Sequence, residues 1–477
     1  MLFNSFQFIT FYIVVVALLF SLPQRFRWIL LLAASAYFYM CWNPKYIVFL
    51  IFVIVVDYFS GIGMGKTDKQ AVRRFFLGLS LTGNIGLLFI FKYFNFFSNT
   101  ASTIFGHRFP LLGLVLPIGI SFHVFQSLAY TIDVYRRRIE PEYHAGLFAL
   151  FVMFFPQLVA GPIERPQNLL HQFKEEKRFT YDNFRAGAQL ALWGMVKKVC
   201  IADLLAAPVN TIYSNPTRYP GPILLLATIY FTVQIYCDFS GYTDIARGVA
   251  RIMGYDLMLN FRQPYFSASI REFWQRWHIS LSTWFRDYVY YPLGGSRVSH
   301  QLVLRNLLIV FLVSGLWHGA AWTFVIWGGL HALYMICGEI TRPWRARTLT
   351  ALGLQDSKVY HLLQVVFTLN LVMIGWVFFR AATLRQAWYI LKHMYVPKHI
   401  SMADMSYGMG LEQFSVYLAW ALILLLIAVD YALVYKPKFI LPAWNSRPLR
   451  WAAYTVGLYS LVFFGVWERI QFIYFQF

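Results

Sequence analysis

The chain has 477 residues, of which 59% are hydrophobic, 19% aromatic and only 13% charged. A soluble globular protein carries roughly a quarter charged residues, so that class is excluded. Long continuous apolar runs exclude an outer-membrane barrel of short alternating strands and identify an all-α polytopic membrane protein. The formal charge of +20 does not indicate nucleic acid. The Lys and Arg fall in loops between apolar runs, where they set topology or meet anionic lipid headgroups or an anionic cofactor.

The first run, FQFITFYIVVVALLFSL over 6–22, has no basic region before it and no clear cleavage site after it, and reads as a retained span. Further runs near 26–42, 46–62, 75–92 and 111–133 are long enough, or nearly so, to cross roughly 30 Å of hydrocarbon. Arg25 and Arg27, then Lys66, Lys69, Arg73 and Arg74, then Arg136, Arg137 and Arg138 follow the first, third and fifth runs. That alternation predicts cytoplasmic loops there and an outside N-terminus. The run 145–161 ends in FFPQLVAGP and precedes a charged stretch from Glu164 to Arg185. A re-entrant or shallow segment keeps 136–185 on the cytoplasmic side.

Spans are expected near 186–206 and 222–240, joined outside by the turn-rich PVNTIYSNPTRYPGP. A basic, aromatic region from Gly241 to Arg305 then faces the cytoplasm. The run 302–339 would measure roughly 57 Å as one helix, so a break near Gly315–Gly319 is expected, with His318 beside it. Arg342, Arg345, Arg347 and Lys358 mark a cytoplasmic loop, and spans near 360–379, 412–435 and 451–467 follow. Lys436, Lys438, Arg447 and Arg450 mark the last cytoplasmic turn, which leaves the C-terminus outside. The count is about ten to twelve membrane segments in a single integral membrane domain, one or two of them not crossing. Its expected parts are N-terminal spans over 1–115, a core over 116–340 that includes 241–305, and C-terminal spans over 341–477.

Cys41, Cys200, Cys237 and Cys337 lie in apolar segments without metal-like spacing and read as free thiols; no metal site is expected. GIGMGKT over 61–67 lacks the glycine a phosphate loop requires at position 60, which is Ser60, and reads as the basic end of a membrane helix.

REFWQRWHISLSTWFRDY over 271–288 places Trp274, Trp277, His278, Leu281, Trp284, Phe285 and Tyr288 on one face of a helix. Glu272 and Arg276 pair at i,i+4 on the other side. The pattern predicts an interfacial amphipathic helix. His278 on its apolar face is read either as a hydrogen-bonded core residue or as a functional one. His318, in SGLWHGA, is a stronger candidate. Gly315, Gly319, Ala320 and Ala321 permit close approach of another backbone or a ligand, and an imidazole deep in a membrane needs a partner or a water path. Neutral histidine can act as general base toward a hydroxyl attacking an acyl carbonyl. His331 is read as structural, because on one continuous helix it would lie about 20 Å away on another face. Asp238, Tyr242 and Asp244 in YCDFSGYTD either cap the following basic loop or support a site.

These stretches, taken together, resemble the membrane-bound O-acyltransferase family, in its alginate O-acetylation branch. The matching pieces are PIGISFHVFQSLAYTIDVYRRR (117–138), FFPQLVAGPIERP (154–166), DFSGYTDIARGVARIMGY (238–255), NFRQPYF (260–266), SIREFWQRWHISLSTWFRDYVYYPLGGSR (269–297), SGLWHGAAWTFVIWGGLHAL (314–333), GWVFFRA (375–381) and FIYFQF (472–477). The resemblance implies a ring of tilted helices around a tunnel joining the two membrane faces. It places the family's near-invariant histidine on His318 and its second recurrent polar position on His278, both as catalytic candidates. Arg271, Trp274, Arg276, Trp277, Asp238, Tyr242 and Trp317 become donor-binding or tunnel-lining candidates.

The implied reaction is acetyl transfer from a cytoplasmic donor, acetyl-CoA, with no permanently bound cofactor, across the bacterial inner membrane to an exported polysaccharide. Relatives of this branch hand the acetyl group to an exported enzyme with a Ser-His-Asp site, so a separate partner is expected. D-alanyl transfer to teichoic acid and peptidoglycan O-acetylation are the alternatives within the class. A transporter or lipid-binding scaffold is the alternative outside it.

Overall fold

The computed structural model describes residues 1–401, 406, 408–410, 412–438, 446–467 and 472–473, and these are helical or irregular with no strand. Of the FIYFQF ending, residues 474–477 lie outside the described residues. Seven helices among the described residues are long and apolar enough to cross a membrane, and Phe6–Ser21 is a shorter apolar helix. All four cysteines are free thiols. The chain forms two compact units, 1–194 with 242–259 and 195–241 with 260–477. One helix, Gly221–Ile252, contributes to both units.

The first unit contains α1 (Phe6–Ser21), α2 (Gln24–Met40), α3 (Ile47–Gly65), α4 (Gln70–Leu88), α5 (Phe94–Phe105), α6 (Ile120–Tyr135), α7 (Ala145–Met153), the single turn α8 (Pro166–Leu169) and α9 (Tyr181–Met195). GIGMG is the last turn of α3, as a helix end. The expected span at 75–92 is part of a longer object. A π-helical stretch, Phe89–Tyr93, joins α4 to α5, so Gln70–Phe105 runs as 36 residues. The expected run 111–133 is helical only from Ile120, because Pro117 and the left-handed Gly119 (φ 74°) start the helix there. α7 is nine residues long, roughly 14 Å at 1.5 Å per residue, which is too short to cross. Its N-cap is His144, whose Nδ1 accepts from the Leu147 N–H at 3.1 Å. Residues 150–164, the end of α7 and the segment after it, are buried.

Polar groups pin this unit together. Asp57 on α3 accepts from Ser80 (2.6 Å) and Asn84 (2.9 and 3.0 Å) on α4, and from Ser127 on α6. A buried carboxylate is tolerable only when so satisfied. Glu164 ties two loops together, accepting from the Met258 N–H at 2.5 Å and from Asn168 at 2.7 Å.

In the second unit, a π-helical stretch, Val196–Ala202, carries the chain from α9 into α10 (Asp203–Ser214). The expected span 222–240 continues without interruption as α11 (Gly221–Ile252). Asp238, Tyr242 and Asp244 therefore lie inside a helix, not at its cytoplasmic end, and residues 241–252 are not loop. Lys198 holds both Asp203 and Asp238 at 2.7 Å, all three buried. Asp238 also accepts from the Ile473 N–H at 2.7 Å.

α12 (Ile270–Arg276) and α13 (Ile279–Phe285) precede α14 (His300–His318) and α15 (Trp322–Ala351). The expected break falls directly after His318, with Gly319 and Ala321 extended. α14 and α15 then meet backbone to backbone. A Cβ on Gly315 would lie 2.4 Å from the Phe324 carbonyl, and one on Gly328 would lie 2.3 Å from the Phe311 carbonyl. α15 runs on through Pro343, so Arg342, Arg345 and Arg347 are helical, not in a loop as expected. α16 (Lys358–Arg380), α17 (Leu384–His393), α18 (Gln413–Tyr435) and α19 (Arg447–Phe464) follow among the described residues.

Burial raises the Glu164 carboxyl from 4.5 to about 7, against its hydrogen bonds and the nearby Arg247 and Arg165. The folded state thus holds this proton more tightly than the unfolded chain. The Glu164 contribution to stability is fully present below pH 4.5 and is lost as pH rises through 7. Detergent-solubilised protein is expected to melt at a lower temperature at pH 8 than at pH 5, and Glu164→Gln is expected to flatten that difference. An unchanged slope in the variant would remove Glu164 as its cause.

Candidate functional site

The expected continuous helix over 271–288 is broken at its histidine. α12 starts on Ser269, whose hydroxyl accepts from the Glu272 N–H at 3.2 Å, and ends at Arg276. His278 adopts a left-handed conformation (φ 43°, ψ 55°), which is uncommon for a residue with a Cβ. Asn260 supports it from a distant part of the chain. Its carbonyl accepts from the Ile279 N–H at 2.9 Å and its side-chain oxygen from the Ser280 N–H at 3.1 Å. These are the first free donors of α13, so Asn260 acts as a cap supplied from outside the helix. The apolar face packs against protein. Trp277, His278, Leu281, Trp284 and Phe285 are buried in protein, as is Tyr288 just beyond α13.

The break turns the His278 ring into an aromatic cluster. Its centroid lies 4.6 Å from Phe239 and 6.1 Å from Trp317, edge-on to both. On the same indole, His318 lies 5.0 Å away, and it also meets Trp327 at 4.9 Å and Phe379 at 5.4 Å. His278 and His318 thus pack on one tryptophan, Trp317. Burial pushes His278 from 6.5 down to about 3, so its ring is neutral at physiological pH. A base that weak is better suited to holding a ligand by hydrogen bonds than to taking its proton.

The other expected residues divide. Trp277 packs on Phe261 at 5.0 Å and on Trp376 at 4.9 Å, within the same cluster. Trp274 donates to His331 Nδ1 at 3.3 Å. Arg271 pairs with Glu339, and Arg276 pairs with Glu272 at 2.5 Å, the expected i,i+4 partner. Asp238 is held by Lys198 and the Ile473 N–H. Tyr242 belongs to the first unit, where it stacks on Phe3 at 4.7 Å.

His331 departs most from expectation. The distance argument required one straight helix, and the break after His318 removes it. In the hairpin, Trp327 lies 4.9 Å from His318 and 5.0 Å from His331. The sequence held a signal for this, since Trp327 and His331 are four residues apart on α15, beyond a predicted break. Trp376 and Phe379, which reach the cluster from α16, lie in the GWVFFRA stretch that carries the resemblance but are not among the expected site residues.

Residues 136–384 match the model of the MBOAT, membrane-bound O-acyltransferase, family. The chain is 42% identical over 381 residues to a probable alginate O-acetylase of Pseudomonas aeruginosa, covering 78% of this chain and 70% of that one. It is 35% identical to a peptidoglycan O-acetyltransferase of Helicobacter pylori, with 79% and 75% covered. It is 29% identical to a teichoic acid D-alanyltransferase of Bacillus subtilis, with 57% and 70% covered.

The cap on α13 is testable by stability alone. Asn260→Ala removes the Ser280 acceptor and is expected to lower unfolding stability by about 1 kcal/mol. Asn260→Asp, which keeps an acceptor oxygen, should lose less. Thermal melts of the purified variants in detergent measure both, and equal losses would contradict the capping role.

Proposed function

The chain belongs to the membrane-bound O-acyltransferase family and is a multi-pass membrane acyltransferase, and on that premise we propose that it passes an acetyl group from cytoplasmic acetyl-CoA across the bacterial inner membrane for O-acetylation of an exported polysaccharide such as alginate. The observation that carries the mechanism is the packing of His278 and His318 on one tryptophan, Trp317. The polysaccharide class is supported by the relative named as an alginate O-acetylase.

In this reading His318 takes the proton of the acceptor hydroxyl as its oxygen attacks the thioester carbonyl. The tetrahedral centre collapses, the C–S bond breaks, and the imidazolium returns the proton to the departing thiolate, giving free CoA and the acetyl ester. His278, neutral and buried, positions the donor. SGLWHGA offers no nucleophile beside His318 except Ser314 four residues earlier, which favours direct transfer over a covalent intermediate on this chain. The basic loops face the cytoplasm and both termini face outward, in keeping with the positive-inside bias. The acceptor is a separate exported enzyme with a Ser-His-Asp site, which then acetylates the polymer. Its hydroxyl approaches from outside while the donor enters from the cytoplasm.

His318→Ala is expected to lower acetylation by about a hundred- to ten-thousand-fold with membrane abundance unchanged, read as polymer ester content in cells and as label transferred from acetyl-CoA in membranes. A normal rate would sink the assignment of His318. Transfer in cells without any CoA-dependent transfer in membranes containing the partner would replace acetyl-CoA by a carrier-linked donor. Loss of ester from peptidoglycan, or of D-alanine from teichoic acid, on deletion would move the acceptor to one of those polymers.

A further inference from the structure

The wall of the histidine cluster contains hydrogen-bond donors that the mechanism above leaves unused. Trp274 on α12 donates to Nδ1 of His331. A neutral imidazole that accepts at one nitrogen carries its hydrogen on the other, so Nε2 of His331 is a donor. Among the described residues this Nε2–H has no acceptor, nor do the indole N–H groups of Trp327 and Trp376. All three side chains are 0% exposed. Two of the three lie beside one glycine. A Cβ on Gly375 would stand 2.8 Å from His331 Nε2 and 3.5 Å from Trp327 Nε1, so both donor nitrogens sit close to each other over Gly375, and a side chain at 375 would press on His331. Gly375 belongs to α16, and the other two residues lie one turn apart on α15. The same Trp327 ring touches His318.

Buried donors are nearly always paired, and an unpaired one is a net loss to the fold. Two such donors close together beside one glycine, one indole away from the candidate base, suit what acyl transfer requires. The carbonyl oxygen gains negative charge as the tetrahedral centre forms, and fixed N–H groups in a dry site stabilise that charge most.

We propose that His331 Nε2–H and Trp327 Nε1–H, above Gly375, receive the carbonyl oxygen of the acyl group during transfer. Trp274 fixes the donating tautomer of His331. Both donors keep their protons throughout: charge builds on the oxygen as the acceptor oxygen adds to the carbonyl carbon, and returns to the double bond as the leaving group departs. The proposal rests on acyl transfer itself and not on the identity of donor or polymer.

Trp327→Phe keeps a ring against His318 and His331 and removes the N–H. In cells deleted for the native gene and expressing full-length variants, it is expected to lower polymer ester formation per unit of membrane protein by about a hundredfold, the loss typical of one such donor. The smaller ring also leaves a void in a packed core, so some loss of melting temperature is expected; ester formation is therefore read per unit of folded membrane protein. Gly375→Ala, whose Cβ would press on His331 Nε2 and displace it, should also lower ester formation. His331→Gln, which retains an acceptor and an N–H, should keep more activity than His331→Leu. Wild-type specific activity in Trp327→Phe would overturn the proposal, as would a loss fully explained by reduced abundance; either points to donors that hold only a structural water. An inactive His318→Ala beside a fully active Trp327→Phe would reject this donor pair while leaving the proposed function intact. The reverse pattern would reject His318 and retain the pair.

Discussion

Backbone contact between α14 and α15 is the constraint on which the histidine cluster depends. Gly315 and Gly328 let two helices approach to where a single Cβ would collide with a carbonyl oxygen. With little hydrophobic gain available between helices in lipid, such close packing is a main source of association. The hairpin it produces faces His318, at the end of one helix, toward Trp327 and thence His331 on the other. A larger residue at either glycine would separate the helices and pull the cluster apart.

A second constraint is the treatment of polar groups inside an apolar assembly. Asp57 is surrounded by hydroxyl and amide donors from two neighbouring helices. Lys198 carries two carboxylates at once. Glu164 is satisfied by a backbone N–H and an amide. Each replaces water with protein partners drawn from different segments, so each also fixes where those segments meet. His278 is placed on the same principle, since the backbone turn that aims its ring is held by Asn260. Within the described residues, His331, Trp327 and Trp376 are among the buried polar groups left unmatched, and the Trp327 ring packs directly on His318.

Much of this protein was legible without coordinates. Length and apolarity over one turn after another are local properties, so the helical membrane class, most helix positions, the break beside His318 and the Glu272–Arg276 pair followed from sequence. The motifs around His278 and His318 also pointed to acyl transfer. Helix ends were less legible, because they depend on what continues or caps the helix. Residues 89–93 extend α4 through a π turn, and α11 runs on past Gly241 because its polar face is buried by protein, which composition does not show. Periodicity put His278 in mid-helix, whereas tertiary structure made it the joint between two helices. The physical reason is that the deciding hydrogen bonds come from Asn260, outside the periodic segment. The role of His331 was likewise decided by tertiary structure: a distance along a sequence sets a distance in space only while the helix stays straight, and the backbone contact at Gly315 and Gly328 folds it back.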